Sequence, residues 1–134
     1  MKKIILGLII LIASFSANSA CSIKTLKGFY VASGTYMGYS NNTPVSCGIV
    51  ARLAFDGKGF VSVKDYETCS GAWINNGSPV INNGTYSIDS TCTGIIRTND
   101  ISFVFILNNS MKEGSNIGAN VATGLSGSGT IIKQ

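Results

Sequence analysis

Residues 53–63 read Leu53-Ala54-Phe55-Asp56-Gly57-Lys58-Gly59-Phe60-Val61-Ser62-Val63. Two apolar residues of one parity, Leu53 and Phe55, lead into a tight turn; two more, Val61 and Val63, lead out of it. Alternation with period two puts one face of a strand on a core. Asp56, Gly57 and Gly59 supply the turn, because glycine reaches positive φ without a Cβ clash and aspartate bonds the backbone just ahead of it. The stretch is a β-hairpin with both apolar pairs on one side.

Outward from this hairpin, the chain is rich in Ile, Val, Thr, Tyr and Phe, punctuated by Asn, Ser and 16 Gly. Helical spacing is not sustained after residue 20. We read eight strands, at 28–39, 47–55, 60–74, 84–89, 93–98, 101–108, 116–122 and 125–133. Two longer loops, 40–46 and 75–83, separate some of them, and Asn99-Asp100 forms a short turn. Eight short strands in series, each joined to the next, predict an all-β fold, an eight-stranded antiparallel up-and-down β-barrel. Ile101, Phe103, Phe105 and Leu107 alternate cleanly. Val104 and Ile106 make the opposite face apolar too, a surface that a second subunit of a homo-oligomer could cover. Gly34, Gly38, Gly118, Gly127 and Gly129 suit the sharp bends of a small closed barrel.

The first twenty residues differ in kind. Lys2 and Lys3 precede an apolar run at 4–13 and small residues at 14–20, the pattern of a signal peptide cleaved after Ala20. One domain, 21–134, remains, secreted to the periplasm or beyond the cell. No stretch approaches the roughly 20 apolar residues that a membrane-spanning helix needs. A mature chain starting at Cys21 also raises lipid anchoring; such signals normally carry Leu three residues earlier, where Asn18 stands, so anchoring is the lesser expectation. The formal charge of +4 counts Lys2 and Lys3, and the remaining basic residues are scattered. Nucleic-acid binding needs a basic cluster and is not expected.

Four cysteines allow three pairings. The hairpin register favours one of them. If Phe55 lies opposite Val61, then Cys47 lies opposite Cys69, within disulfide reach. Cys21 and Cys92 then belong to the other barrel end, giving Cys47–Cys69 and Cys21–Cys92 as structural staples.

The chain contains no histidine, which excludes Ser-His-Asp and Cys-His catalysis and His-ligated zinc. No metal or cofactor is expected. Asp56, Asp89 and Asp100 fall at turns, where backbone capping accounts for them. Asp65 and Glu67, two apart on one strand, share a face. A carboxylate pair can serve glycoside hydrolysis, but a solvated strand face is the plainer expectation. Arg52, Lys64 and Arg97 are likewise expected in solvent. What remains is a binding surface at the end carrying the two loops. Tyr36 and Tyr39 lead into the first loop and Trp73 into the second, and Tyr66 lies nearby on its strand. These four aromatics are the candidate site. A lone tryptophan in a small β-protein is, against that, usually core.

The motifs Leu26-x-Gly28-x-Tyr30, Phe55-Asp56-Gly57-x-Gly59, Gly84-x-Tyr86-x-Ile88-x-x-x-Cys92-x-Gly94 and Gly129-x-x-x-Lys133-Gln134 occur in that order. Together they resemble a group of small exported bacterial proteins of calycin-like architecture, the lipocalin and avidin barrels. The resemblance implies a barrel and no reaction. Gly28-Phe29 stands where lipocalins carry Gly-x-Trp, and the single tryptophan does not suit a biotin pocket. The leading expectation is a secreted, non-enzymatic barrel that binds a small apolar ligand or a cell-surface protein partner at its loop-rich end. One rival is a protease inhibitor of the avidin-like type, which needs Ser22 to Lys27 free. Another is a barrel isomerase or cyclase that uses Asp65, Tyr66 or Arg97.

Overall fold

The computed structural model describes residues 21–40, 43–99, 101–120 and 125–134; the leader at 1–20 and Asp100 lie outside them. The strands are β1 (Lys27–Ser40), β2 (Thr43–Asp56), β3 (Phe60–Cys69), β4 (Ala72–Trp73), β5 (Val80–Ile88), β6 (Thr93–Arg97), β7 (Ile101–Leu107), β8 (Glu113–Asn120) and β9 (Leu125–Lys133). Apart from the two-residue β4, each pairs antiparallel with its sequence neighbour, and β1 also pairs with β9 from Tyr30↔Lys133 to Met37↔Ser126. That last pairing closes eight strands into a barrel and leaves the main sheet without an edge.

The 53–63 hairpin is present. Phe55 opposes Val61 and Leu53 opposes Val63, and all four are buried. The Asp56 carboxylate accepts hydrogen bonds from the backbone N–H groups of Lys58 (2.7 Å) and Phe60 (3.0 Å). Gly57 and Gly59 carry the positive φ values, 77° and 108°.

Four boundaries need correction. The strand expected from residue 84 starts at Val80, because 80–83, read as loop, pair with 62–65 of β3. Strand three does not run to residue 74. Ser70 (φ 50°) and Gly71 (φ 84°) form a two-residue turn after Cys69, and β4 folds back so that Thr68 opposes Trp73. Two successive positive φ values match the right-handed twist of a tight hairpin. The predicted loop at 40–46 is mostly strand, since β1 and β2 pair as far as Ser40↔Thr43. The segment 70–79 is therefore the longest connection at that end among the described residues. β8 starts at Glu113, three residues early, by pairing with Ile132.

The core is concentrated at the end opposite the 70–79 loop. Leu26 and Tyr30 are completely buried there, with Phe55, Tyr86, Leu107, Met111 and Ile131 around them. Tyr30, Phe55 and Tyr86 meet edge to face, with ring centroids 5.3 and 4.8 Å apart. Both tyrosine hydroxyls find backbone partners, as burial demands. Tyr30 donates to the Met111 carbonyl (2.8 Å). Tyr86 donates to the Leu26 carbonyl (2.8 Å) and accepts from the Gly57 N–H (3.0 Å). The segment 21–26 thus caps this end, held covalently by Cys21–Cys92.

Higher in the barrel, inward aromatic rings lie over glycines on the neighbouring strand. Phe105 opposes Gly94 and Phe103 opposes Gly118. A Cβ on Gly94 would stand 2.6 and 2.7 Å from the Phe105 ring atoms Cε1 and Cε2. Phe105 is fully buried. Gly94→Ala is therefore expected to cost about 1–3 kcal/mol in urea denaturation, the usual range for overpacking. Phe105→Leu should recover part of that loss in the double variant, and strictly additive effects would show that the ring does not set the constraint.

Candidate functional site

The inner face of β3 is fixed by its register with β2. Val61 and Val63 point inward, and period two then carries Asp65, Glu67 and Cys69 to the same side. Asp65 opposes Ala51 on β2 and Val80 on β5 and is 1% exposed. The expected solvated face is thereby overturned for this pair, because the parity that buries the valines also takes the acids inside. Glu67 lies two residues nearer the rim and is half-buried. The Cys47–Cys69 bridge sits above it, with Cα atoms 4.1 Å apart.

Tyr36 completes the cluster. It stands on β1 opposite Cys47, and its hydroxyl lies 3.7 Å from the Cys69 sulfur and within the field of the Glu67 carboxylate. Burial first, and then the charge of Glu67, push the Tyr36 hydroxyl well above its ordinary value, so it stays protonated as a donor. Asp65 has no such support. Its Oδ1 is buried without a hydrogen-bond partner. Burial, followed by the charge of Glu67, pushes its carboxyl up to about 6, with its own backbone N–H pulling slightly the other way.

The four aromatics separate. Tyr36 faces the interior beside the acids. Tyr66 lies on the outer face of β3 and is 39% exposed. Trp73 stands at the rim on β4, 61% exposed, and is not core filling. A Cβ on Gly77, a glycine with positive φ, would lie 3.9 Å from the Trp73 ring. The backbone of Tyr39 is in β1 opposite Pro44; its side chain falls outside what the structure describes. Arg52, Lys64 and Arg97 are exposed, as expected, and Arg52 lies 4.0 Å over the ring of Phe29.

Lys24, Lys27, Lys58, Lys112 and Lys133 belong to the capped end, in or beside its turns and termini, together with Asp56, Asp89 and Glu113. Arg52, Lys64 and Arg97 stand exposed on the outer faces of β2, β3 and β6. Asp65 and Glu67 are the charged side chains on the inner face of β3.

Between the two ends lies a cavity of about 20 Å³, lined by Ile49, Ala51, Leu53, Ile96, Phe103 and Phe105 among others. It has room for about one water molecule. Asp65 does not line it, although Ala51 touches both regions. No group of three or more acidic or cysteine side chains among the described residues could hold a metal ion. The sequence paired these acids on one face but expected that face in solvent, although their parity with Val61 and Val63 was already visible.

Asp65 retains a proton in the fold between pH about 4 and about 6 that the unfolded chain has released. Stability therefore falls as pH rises through that window and stays reduced above it. Asp65→Asn is expected to raise stability by roughly 1–2 kcal/mol near pH 7.5 and to leave it unchanged near pH 4, as read by urea denaturation. Equal effects at the two pH values would place the carboxyl in water. Comparison with protein-family models, with curated proteins and with solved structures found no match to this chain.

Proposed function

We propose that this is an exported, non-enzymatic barrel that binds a ligand or protein partner through its loop-rich rim. Trp73 carries the reading: a large, exposed aromatic ring held on a strand that is hydrogen-bonded to the end of β3. Cys69, the neighbour of Thr68 in that pairing, is bridged to Cys47, so the platform under the ring is covalently braced. Rigid aromatic anchors lose little entropy on binding and dominate recognition surfaces. Pockets for small molecules run to roughly 300–1,000 Å³. The cavity of about 20 Å³ is far smaller, which directs a ligand to the rim rather than to the middle of the barrel.

The two disulfides suit an oxidising compartment, in keeping with the export signal read at residues 1–20. The Cys21 sulfur is committed to Cys92, and a thioether-linked lipid would need that same atom. The inhibitor reading loses support for a related reason: Leu26 is completely buried, and 21–26 is tied down at both ends. A second reading, a barrel isomerase or cyclase, draws on one observation, a buried carboxyl poised near neutrality beside a tyrosine hydroxyl. Such a pair could move protons on a bound substrate.

Trp73 is the only tryptophan in the chain, so its emission reports on the rim directly. A panel of metabolites, peptides and glycans added to the oxidised protein is expected to yield a ligand that shifts this emission. Trp73→Ala should weaken that ligand about tenfold, a typical loss for an aromatic anchor, with an unchanged melting temperature. A panel that leaves the emission unmoved, or a ligand bound equally by Trp73→Ala, overturns the reading. Turnover of a panel member that is lost in Asp65→Asn would favour the enzyme instead.

A further inference from the structure

The geometry points to a binding site for a primary ammonium group at Asp65, Glu67 and Tyr36, on a slim aliphatic amine entering from the rim. This rests on the reading of the rim as the binding end and names the chemistry of what enters it.

The first observation is Oδ1 of Asp65, buried and without a partner. A buried acceptor left unmade is costly, and native proteins fill such positions from water, an ion or a ligand. The second is the disposition of the neighbours. Glu67 is the next inward residue toward the rim, and the Tyr36 hydroxyl stands beside it, 3.7 Å from the Cys69 sulfur and close enough to feel the Glu67 charge. The tyrosine oxygen keeps its lone pairs, so Asp65, Glu67 and Tyr36 offer three acceptors to a group that carries three N–H donors. The third is the local charge: the residues that oppose Asp65 and Glu67 on β2 and β5 are Ala51, Ile49 and Val80, so no basic group on those strands neutralises the pair.

Shape selects among cations. A guanidinium is a broad planar fork and would need a slot, whereas an ammonium is compact and carries three donors. A bare divalent metal wants more ligands than two carboxylates and a protonated phenol supply. No group of three metal-ligating side chains occurs among the described residues.

Among the described residues, the neighbouring strands face the site with apolar side chains and the protonated Tyr36. Facing Asp65 and Glu67, β2 places Ile49 and Ala51, β5 places Val80, and β1 places Tyr36. Binding should therefore follow the ionisation of Asp65 itself.

Calorimetry on the full, oxidised protein tests the site with 1,5-diaminopentane and its uncharged counterpart, 1,5-pentanediol. The diamine is expected to bind near pH 8 and the diol not to bind. Near pH 5, affinity for the diamine should fall about tenfold, as Asp65 takes up its proton. Asp65→Asn, which keeps the side-chain shape, and Tyr36→Phe, which removes one acceptor, should each weaken the diamine at least fivefold with the melting transition retained. Nα-acetyl-lysine amide, run in parallel, tells whether a protein side chain can supply the ammonium as well as a free amine. No heat from the diamine, equal binding of the diol, or undiminished affinity in Asp65→Asn overturns the site. Such results would leave the rim reading standing or falling on Trp73 emission alone.

Discussion

Closure of β9 onto β1 is the constraint on which the rest of this molecule depends. The two strands run side by side from Tyr30↔Lys133 to Met37↔Ser126, and midway Gly34 opposes Gly129. A Cβ on Gly129 would stand 2.6 Å from the Gly34 Cα, so the backbones approach more closely than any other residue allows. Two glycines at one register position therefore let the sheet coil sharply enough to shut. Without that seam the same strands would form an open sheet with two long edges, each able to recruit another chain. Water would also reach the inner face. The raised pKa of Asp65, two strands from the seam, is thus a consequence of backbone contacts made by β1 and β9, since a carboxyl in an open sheet would be solvated.

The two ends of the closed barrel are built on different terms. At the capped end, large side chains interlock, both buried tyrosine hydroxyls are satisfied, and a disulfide spans 71 residues of chain. The rim bridge spans 22. In the chain-entropy account, loops of those lengths stabilise by about 4 and about 3 kcal/mol respectively. The rim half replaces large inward side chains with Gly34, Gly127 and Gly129 and places two carboxylates inside. Stability is concentrated at one pole, which leaves the other free to carry groups that stabilise nothing. Binding regions are drawn from the less stable parts of a fold for this reason.

Much of this was legible in the residues, and what was not has a physical cause. Period two and turn chemistry are local, so the 53–63 hairpin, the eight strands and, through register, both disulfides followed from neighbours in sequence. The break after Cys69 was also local, written in Ser70-Gly71, but masked by the apolar residues that continue to Ile74. The pairing of Phe105 with Gly94 and Phe103 with Gly118 depends on register between strands and had no signature in either strand alone. Asp65 is the instructive case. Alternation placed it inside with Val61 and Val63, and the general preference of carboxylates for water placed it outside. The pattern prevailed because the hairpin cannot turn one residue of a strand without turning all of them.

That conflict bears on function more directly than any motif in the chain. Valine at position 65 would continue the inward series of Val61 and Val63, fill the same wall and leave no unpartnered oxygen. An acid there lowers stability at neutral pH, and a second acid two residues away makes its ionisation harder still. Local rules are broken at sites under a demand other than folding, and here the breaks coincide in space. An unpartnered carboxylate oxygen, a second carboxylate beside an inward tyrosine hydroxyl, and facing strands that offer only Ile49, Ala51 and Val80 all meet under one rim. Each taken singly has an ordinary structural explanation. Their convergence beneath the exposed Trp73 is what a fold optimised only for its own stability would not contain.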